Sequence, residues 1–296
     1  MTKTIASGKM VALEIVPPAV ERGGSLMVEE AYKVRSLLQQ TGLAAKVNTI
    51  LVPQLVPEDD GRPIALQPRL DPLEVRQAFS GCLRTSFILS QVTAHSPPAV
   101  LHERVGLLQS SGVERIIFVG APRQGGPGLA GLSPEAALVA FRGIAPSMGV
   151  ILIPTRIGEK ERFLRKLEAG AGFAVTQLLF SNHIVYFLRE MAAFPFRPEI
   201  LLSFGYVPKV EVERGLLRWL IRDDKSPFVE QESDRIMKLA GLPVEQRRAA
   251  LVASYKAVVQ EAAGLGFPLG VHFECPYGVS SQALETFASM LDAWSP

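Results

Sequence analysis

Cysteine is scarce in this sequence, and neither sign of charge is in excess. The two cysteines, Cys82 and Cys275, lie far apart without a CxxC pair, which argues against a disulfide framework or a zinc site and favours a reducing compartment. The 31 basic and 29 acidic residues leave a net charge of +2. Such a balance gives no strong field for polyanions, so we expect neither a nucleic-acid nor a membrane partner.

Long apolar runs and common catalytic signatures are missing as well. No stretch approaches the roughly 18 apolar residues of a spanning helix, and residues 1–10 lack the apolar run of a signal peptide. The four histidines show no metal-binding spacing, and no GxSxG motif occurs. We therefore expect a soluble, cytoplasmic protein without a metal, as a monomer or a small homo-oligomer.

Short apolar runs rich in β-branched residues alternate with amphipathic segments along the whole chain. The runs are too apolar for a half-exposed sheet, which is typical of parallel strands covered by helices. The predicted strands are Val11–Val16, Ala45–Leu51, Ser86–Val92, Glu114–Gly120, Gly149–Pro154, Phe173–Phe180, Glu199–Phe204 and Pro268–Glu274. The predicted helices are Ser25–Gln40, Asp71–Ser80, Ala99–Ser111, Ser133–Ala145, Glu159–Ala169, Asn182–Ala193, Val210–Ile221 and Ser280–Trp294.

Eight strand–helix repeats predict a single (β/α)8 TIM barrel that occupies residues 1–296 as one domain. Two segments depart from the simple repeat. The loop Pro53–Pro72 is long and contains five prolines. The segment Asp223–Leu265 inserts at least one additional helix, Val244–Ala263, before the last strand.

The active site of such a barrel forms where the strands end, at their carboxyl ends. Glu14 is an acid inside an apolar strand, where burial would raise its pKa and suit it to donate a proton near neutral pH. The alternative is a carboxylate satisfied by an arginine or by backbone N–H groups. The residues that this rule selects are Glu14, Gln91, Thr93, Arg123, Thr155, Arg156, Thr176, Gln177, Ser203, Phe204, Tyr206 and Glu274.

Two further features at the strand ends have open interpretations. The amide of Gln177 can bridge two heteroatoms of a pterin-like ring edge, or it can form an ordinary hydrogen bond inside the barrel. The glycine-rich loop that follows Arg123, at Gly125–Gly128, can place N–H groups against a phosphate or carboxylate, but it lacks the spacing of a nucleotide motif. Thr155, Arg156 and the helical Lys166 can add donors and positive charge to the same rim.

Two motifs resemble the methylenetetrahydrofolate reductase family. The string ALEIVPP around Glu14 is similar to that family's first-strand motif, a Glu followed shortly by Pro-Pro. The string LRKLEAGA, from Leu164 to Ala171, and the following FAVTQ, which ends at Gln177, resemble its helix ending in AGA before a strand with Thr-Gln. The motifs occur in the family's order, and the thinner similarity between them spans essentially the whole chain.

The resemblance implies a barrel enzyme that reduces methylenetetrahydrofolate to methyltetrahydrofolate with a reduced nicotinamide. Glu14 would be the general acid that opens the imidazolidine ring to an iminium. Gln177 would bind the pterin, Phe204 or Tyr206 would stack on the benzoyl group, and Glu274 is a further candidate for the folate. The residues that we assign to NADH, with NADPH as the alternative, are Gln91, Thr93, Arg123, Thr155, Arg156 and Lys166.

Three places that contact flavin in the orthodox enzymes differ here together. The acidic residue after strand four is replaced by GAPR, ending at Arg123, and the His-Leu-Thr motif of strand three reads Gln91-Val92-Thr93. The loop after strand five reads TRIGE from Thr155. The chain is more similar to divergent, flavin-independent reductases described in actinobacteria, which share the strings GVILIPTR and PEILLSFG. We therefore expect hydride transfer without FAD.

Three other functions remain open at this stage. The first is a flavin-dependent reductase of the same family with altered flavin contacts. The second is a barrel enzyme that binds a phosphorylated metabolite at the loop Gly125–Gly128. The third is a folate-binding protein without turnover.

Overall fold

A closed barrel of eight parallel strands forms the centre of the molecule. The computed structural model describes residues 9–22, 25–56, 67–120, 130–144, 147–208, 211–221 and 226–296. The strands are β1 Val11–Glu14, β2 Thr49–Val52, β3 Ser86–Val92, β4 Arg115–Val119, β5 Met148–Leu152, β6 Phe173–Thr176, β7 Glu199–Gly205 and β8 Leu269–Glu274. Each strand pairs with the next, and β8 closes the ring on β1. The predicted (β/α)8 barrel is confirmed. The first strand of the chain pairs with the last, which is consistent with a single domain.

Helices follow the strands around the outside of the barrel. Within the described ranges they are α1 Ser25–Gln40, α2 Pro72–Ser80, α3 Pro98–Ser110, α4 Pro134–Ala140, α5 Glu159–Glu168, α6 His183–Met191, α7 Glu211–Ile221, α8 Pro227–Gly241, α9 Val244–Ala263 and α10 Ser281–Ala293. Several begin at a recognisable cap, as at α2, where Asp71 accepts from the Leu73 N–H at 2.8 Å. No helix in these ranges has the length and apolarity to cross a membrane.

The alternation of side chains along each strand separates two apolar layers. Residues such as Ala12, Val175 and Leu201 fill the inside of the barrel, whereas Leu13 and Leu202 pack outward against the helices. The residues two positions after these inner apolar ones also face inward, and near the carboxyl ends of several strands they are polar. The inward-facing polar residues at this level are Glu14, Ser90, Gln177, Ser203, His272 and Glu274.

Some predicted boundaries were wrong, for local reasons. Strand β2 begins later than predicted because residues 43–45 form a 3-10 turn. The Leu43 carbonyl accepts hydrogen bonds from the Lys46 and Val47 N–H groups. Helix α4 ends at Ala140, before Gly143 takes a left-handed φ of 81°. Strand β6 ends at Thr176, although the Gln177 N–H still bonds to the Leu152 carbonyl at 2.8 Å.

The insertion before the last strand contains two helices, α8 and α9, where the sequence indicated at least one. Helix α8 starts with Ser226 as its N-cap and Pro227 in the first helical position. On α9, the fully buried Tyr255 packs edge-on against Phe204 of β7, with ring centroids 4.7 Å apart. The insertion therefore covers the outer face of β7.

The inside of the barrel is closely packed where β5 meets β6. A Cβ atom at Gly149 would lie 2.4 Å from the ring of Phe173, which is almost fully buried. We expect Gly149→Ala to lower the free energy of unfolding by about 1–3 kcal/mol through overpacking. Urea denaturation measures this loss.

Gly106→Ala is the matched control, because a Cβ there meets nothing within 4 Å and the residue lies inside α3. We expect this control to leave stability unchanged or to raise it by about 0.5–1 kcal/mol. Equal losses in both variants would contradict the packing described for Gly149.

Candidate active site at the carboxyl ends of the strands

Two acidic side chains lie next to each other where the barrel closes. The register of β1 and β8 pairs Leu13 with Phe273, so Glu14 and Glu274 occupy the next positions on neighbouring strands and both face inward. Both side chains are partly buried, and that of Glu274 is 13% exposed. The N–H of Cys275 donates to Glu14 Oε1 at 3.1 Å. We call Glu14 and Glu274 the carboxyl pair.

Burial controls the protonation of the carboxyl pair. It raises the pKa of Glu14 from the ordinary 4.5 to about 7, against the lowering effect of the Cys275 N–H. Burial also raises the pKa of Glu274 well above its usual range, and the neighbouring Glu14 charge raises it further. The pair consequently retains protons at neutral pH, as a general acid requires.

A buried polar cluster lies beside the carboxyl pair. Ser203 Oγ is 2.6 Å from the Thr176 carbonyl oxygen and 2.9 Å from His272 Nδ1, and Nδ1 is 3.8 Å from Glu274 Oε1. Burial lowers the pKa of His272 to about 3, so the ring is neutral. Its Nε2 is buried and has no hydrogen-bond partner among the described residues.

The sequence analysis did not select His272 as a site residue. One signal was available, because His272 and Glu274 are two positions apart on one strand and therefore point to the same face. The sequence predicts a strand over Pro268–Glu274, and its histidine has no metal-binding spacing to distinguish it from a packed side chain.

A cavity of about 240 Å³ opens beside Glu274 between the loops that follow β7 and β8. Tyr206 forms part of its wall and donates from its hydroxyl group to Gln282 Oε1 at 2.9 Å. The guanidinium carbon of the buried Arg247 lies 5.7 Å from the centroid of the Tyr206 ring. The cavity is below the roughly 300–1,000 Å³ of whole-ligand pockets, so it accommodates part of a ligand.

Gln177 lies at the end of β6, and its side chain is hydrogen-bonded to helix α7. Its side-chain N–H donates to the backbone carbonyl of Leu220, in the last turn of α7. This is a hydrogen bond to the protein's own chain, one of the two alternatives that the sequence left open. Helix α7 therefore contacts the mouth of the barrel directly.

Two of the residues assigned to the nicotinamide lie on the outer face of the barrel. Gln91 donates to Gln54 Oε1 at 2.9 Å and accepts from Arg104 Nε at 3.2 Å, on the side of β3 that faces α3. Lys166 donates from Nζ to the Ile151 carbonyl at 3.0 Å and lies 3.5 Å from the buried Glu159. These contacts tie helices to the barrel, and the structure does not bring the two side chains to the mouth.

The other predicted nicotinamide residues lie nearer the strand ends. Thr93 is fully buried and donates to the Leu132 carbonyl at 2.8 Å. Thr155 is buried and Arg156 is partly buried in the turn between β5 and α5. Arg123 lies outside the described residues, as does the glycine-rich loop.

Phe204 does not lie at the mouth of the barrel, although the sequence suggested it as a folate-stacking residue. It follows Ser203 on β7, so it points outward, and it is 3% exposed in its contact with Tyr255. Tyr206, two residues further, borders the cavity. Of the two predicted aromatics, Tyr206 is the one in position to contact a ligand.

A closed barrel with an inward-facing, proton-retaining carboxyl pair at its strand ends is typical of a (β/α)8-barrel enzyme that uses acid–base chemistry. Among the described residues, no three His, Cys, Asp or Glu side chains are grouped so that they could hold a metal ion. The chain matches the family described as mycobacterial methylenetetrahydrofolate reductase over residues 7–296. It belongs to this family, which places it among enzymes of folate metabolism.

Other known proteins give little beyond this match. No curated protein matches the chain. A dihydropteroate synthase from Xanthomonas albilineans with indole-2-carboxylic acid and 6-chloroguanine is 16% identical, with 97% of this chain and 89% of that chain covered and a TM-score of 0.44. The same enzyme with 4-aminobenzoic acid is 13% identical, with 96% and 91% covered and a TM-score of 0.47.

The BexX/CysO complex from Amycolatopsis orientalis is also similar to the chain. It is 14% identical, with 98% of this chain and 90% of that chain covered and a TM-score of 0.45. At these identities and TM-scores the likenesses carry no argument about function.

The raised pKa of Glu14 makes stability depend on pH in a defined direction. The folded protein holds this proton more tightly than the unfolded chain, so the stabilisation is complete below pH 4.5 and is lost as the pH rises through about 7. Glu14→Gln removes this titration. The wild type therefore loses stability relative to the variant as the pH rises. We expect the difference in unfolding free energy, variant minus wild type, to increase by about 2–3 kcal/mol from about pH 5 to about pH 8.

Urea unfolding of both proteins at the two pH values measures this difference. A constant difference between Glu14→Gln and the wild type across the range would show that the carboxyl has an ordinary pKa.

Proposed function

We propose that the protein reduces methylenetetrahydrofolate to methyltetrahydrofolate with NADH, or alternatively NADPH, by direct hydride transfer without flavin. The observation that carries this proposal is Glu14, a carboxyl at the mouth of the barrel whose pKa of about 7 lets it act as an acid at neutral pH. Family membership supports a folate as the substrate.

Glu14 supplies the proton that the reaction consumes. Its O–H bond breaks as the proton passes to a nitrogen of the folate's imidazolidine ring, and the ring C–N bond opens to leave an iminium carbon. A bound reduced nicotinamide would supply the hydride to this carbon. Glu14 then recovers a proton from water. The overall change is one hydride and one proton added to the folate.

The cavity beside Glu274 supports the position of the folate. Tyr206 offers an aromatic face at its wall, and Gln177 offers an amide at the end of β6. Its hydrogen bond to the Leu220 carbonyl uses one of the two amide N–H groups, so the amide oxygen and the second N–H can serve a pterin.

The residues assigned to the nicotinamide fit that group only in part. Gln91 and Lys166 are committed to contacts between the barrel and its helices, which leaves Thr155 and Arg156 as the described candidates. The end of β3 is covered by the chain itself, because a Cβ at Gly131 would lie 2.0 Å from the Thr93 carbonyl oxygen.

The proposed reaction is tested with the purified protein. We expect no visible flavin absorbance band, and NADH oxidation only when methylenetetrahydrofolate is present. Both ligands must bind together, with the donor and acceptor carbons about 3–3.5 Å apart, so the kinetics should follow a ternary-complex pattern. Stoichiometric flavin with ping-pong kinetics would refute direct transfer, and tight folate binding without NADH oxidation would indicate a binding protein.

The role of Glu14 is tested by the variant Glu14→Gln. A glutamine keeps the size of the side chain but has no proton to give, so we expect kcat to fall by about 10²–10⁴-fold while the protein stays folded. Stopped-flow NADH oxidation measures the loss.

The chain offers a matched control for this variant. Glu232 on α8 is also a buried carboxyl with a pKa raised by burial to about 7, but it binds the Ser181 hydroxyl outside the carboxyl pair. We expect Glu232→Gln to retain kcat within about threefold. Near wild-type activity of Glu14→Gln would make Glu14 a structural residue.

A further inference from the structure

The polar cluster next to the carboxyl pair has more acceptors than a single hydroxyl can serve. Ser203 Oγ lies 2.6 Å from the Thr176 carbonyl oxygen and 2.9 Å from His272 Nδ1. Glu274 Oε1 lies 3.8 Å from the same His272 Nδ1. Ser203 has one proton and two lone pairs, so it can donate to only one of its two neighbours.

The position of that proton follows from the chemistry of the neighbours. The Thr176 carbonyl oxygen can only accept, so the Ser203 proton belongs to this short contact. His272 Nδ1 must then carry a proton and donate to Ser203 Oγ, which leaves Nε2 as the bare nitrogen of a neutral ring. The Nδ1 proton is thereby used at Ser203 and does not serve the Glu274 oxygen 3.8 Å away, whereas Glu14 Oε1 accepts the Cys275 N–H at 3.1 Å. Of the two carboxyl groups, Glu14 is therefore the one whose charged form a donor stabilises.

The charges around the carboxyl pair point in the same direction. The titratable groups that face it are His272 and Cys275 of the β8 segment, and burial keeps the first neutral and raises the pKa of the second. Neither group therefore brings a positive charge that would offset a second negative charge on the pair.

We propose that Glu274 is a positioning residue that stays protonated and donates its hydrogen bond to Glu14 once Glu14 has given up its proton. The pair then never carries more than one negative charge. During turnover only the Glu14 O–H bond breaks, while the Glu274 proton remains on Glu274 and stabilises the Glu14 carboxylate. The part played in turnover rests on the proposed reductase function, but the protonation of Glu274 does not.

Infrared difference spectroscopy of the substrate-free protein tests the protonation directly. In Glu14→Gln the carboxyl pair is reduced to Glu274, and the double variant Glu14→Gln/Glu274→Gln lacks both acids. Other buried carboxyls, Glu232 among them, are common to the two proteins and cancel in the difference. We expect the carbonyl band of a protonated carboxylic acid to persist at about pH 8 in Glu14→Gln alone. The difference between the wild type and Glu274→Gln at the same pH should show the same acid band, and its absence from both differences would overturn the proposal.

The pH dependence of the reaction rate distinguishes a protonated Glu274 from an ionised one. Glutamine at 274 keeps a neutral hydrogen-bond donor, so we expect Glu274→Gln to leave the apparent pKa of the rate in place. Glu274→Ala has no donor, so we expect kcat to fall by about 10–100-fold, with a higher apparent pKa for Glu14 and little change in KM.

Two kinetic results would contradict the proposal. If Glu274 is ionised, Glu274→Gln removes a negative charge and lowers the apparent pKa by about one unit or more. If Glu274 only fills space, Glu274→Ala keeps the wild-type pH profile. Absence of any folate turnover, together with a persistent acid band, would refute the reductase function and leave the protonation of Glu274 standing.

Discussion

The pairing of β1 with β8 is the contact on which the candidate site depends. It joins strands from opposite parts of the sequence and sets Glu14 and Glu274 at neighbouring positions inside the barrel. An open sheet with the same strands would place these carboxyls at opposite edges, each exposed to water and each with an ordinary pKa. Closure of the ring therefore creates both the proximity and the burial that make the two acids unusual.

The fold was predictable because two independent patterns agreed. Apolar runs of strand length alternated with segments of helical period, and caps such as Ser133-Pro134 marked where helices begin. The boundaries that were missed depend on information outside this pattern. The 3-10 turn at 43–45 interrupts a stretch that is apolar enough for a strand. Helix α8 has a weak apolar pattern, because the acidic Glu232 occupies a buried position between Val229 and Ile236.

The site was predictable where a residue's position along its strand also fixes the direction of its side chain. Glu14, Gln177 and Glu274 occupy inward-facing positions, so selecting the ends of the strands was sufficient. The same selection placed Gln91 and Phe204 at the mouth. Each of them is next to an inward-facing residue on its strand, so its side chain points outward toward the helices. Applying the two-residue alternation of β3 and β7 would have separated them.

Some assignments depend on partners that no strand pattern reveals. Lys166 was expected to add charge to the rim, but it is turned inward by the buried carboxylate of Glu159 in the same helix. The role of His272 depends on Ser203 and Thr176, which belong to two other strands. Such contacts between distant segments become visible only when the barrel is assembled.

The hydrogen bond between Gln177 and the Leu220 carbonyl has a consequence for ligand selection. The bond uses one amide N–H and thereby fixes the plane of the group, so the amide oxygen and the second N–H have a set direction. A ring whose acceptor and donor match this order binds a group that is already oriented, whereas a ring with the reverse order sets like groups against each other. Gln177 would therefore contribute to discrimination between ring systems.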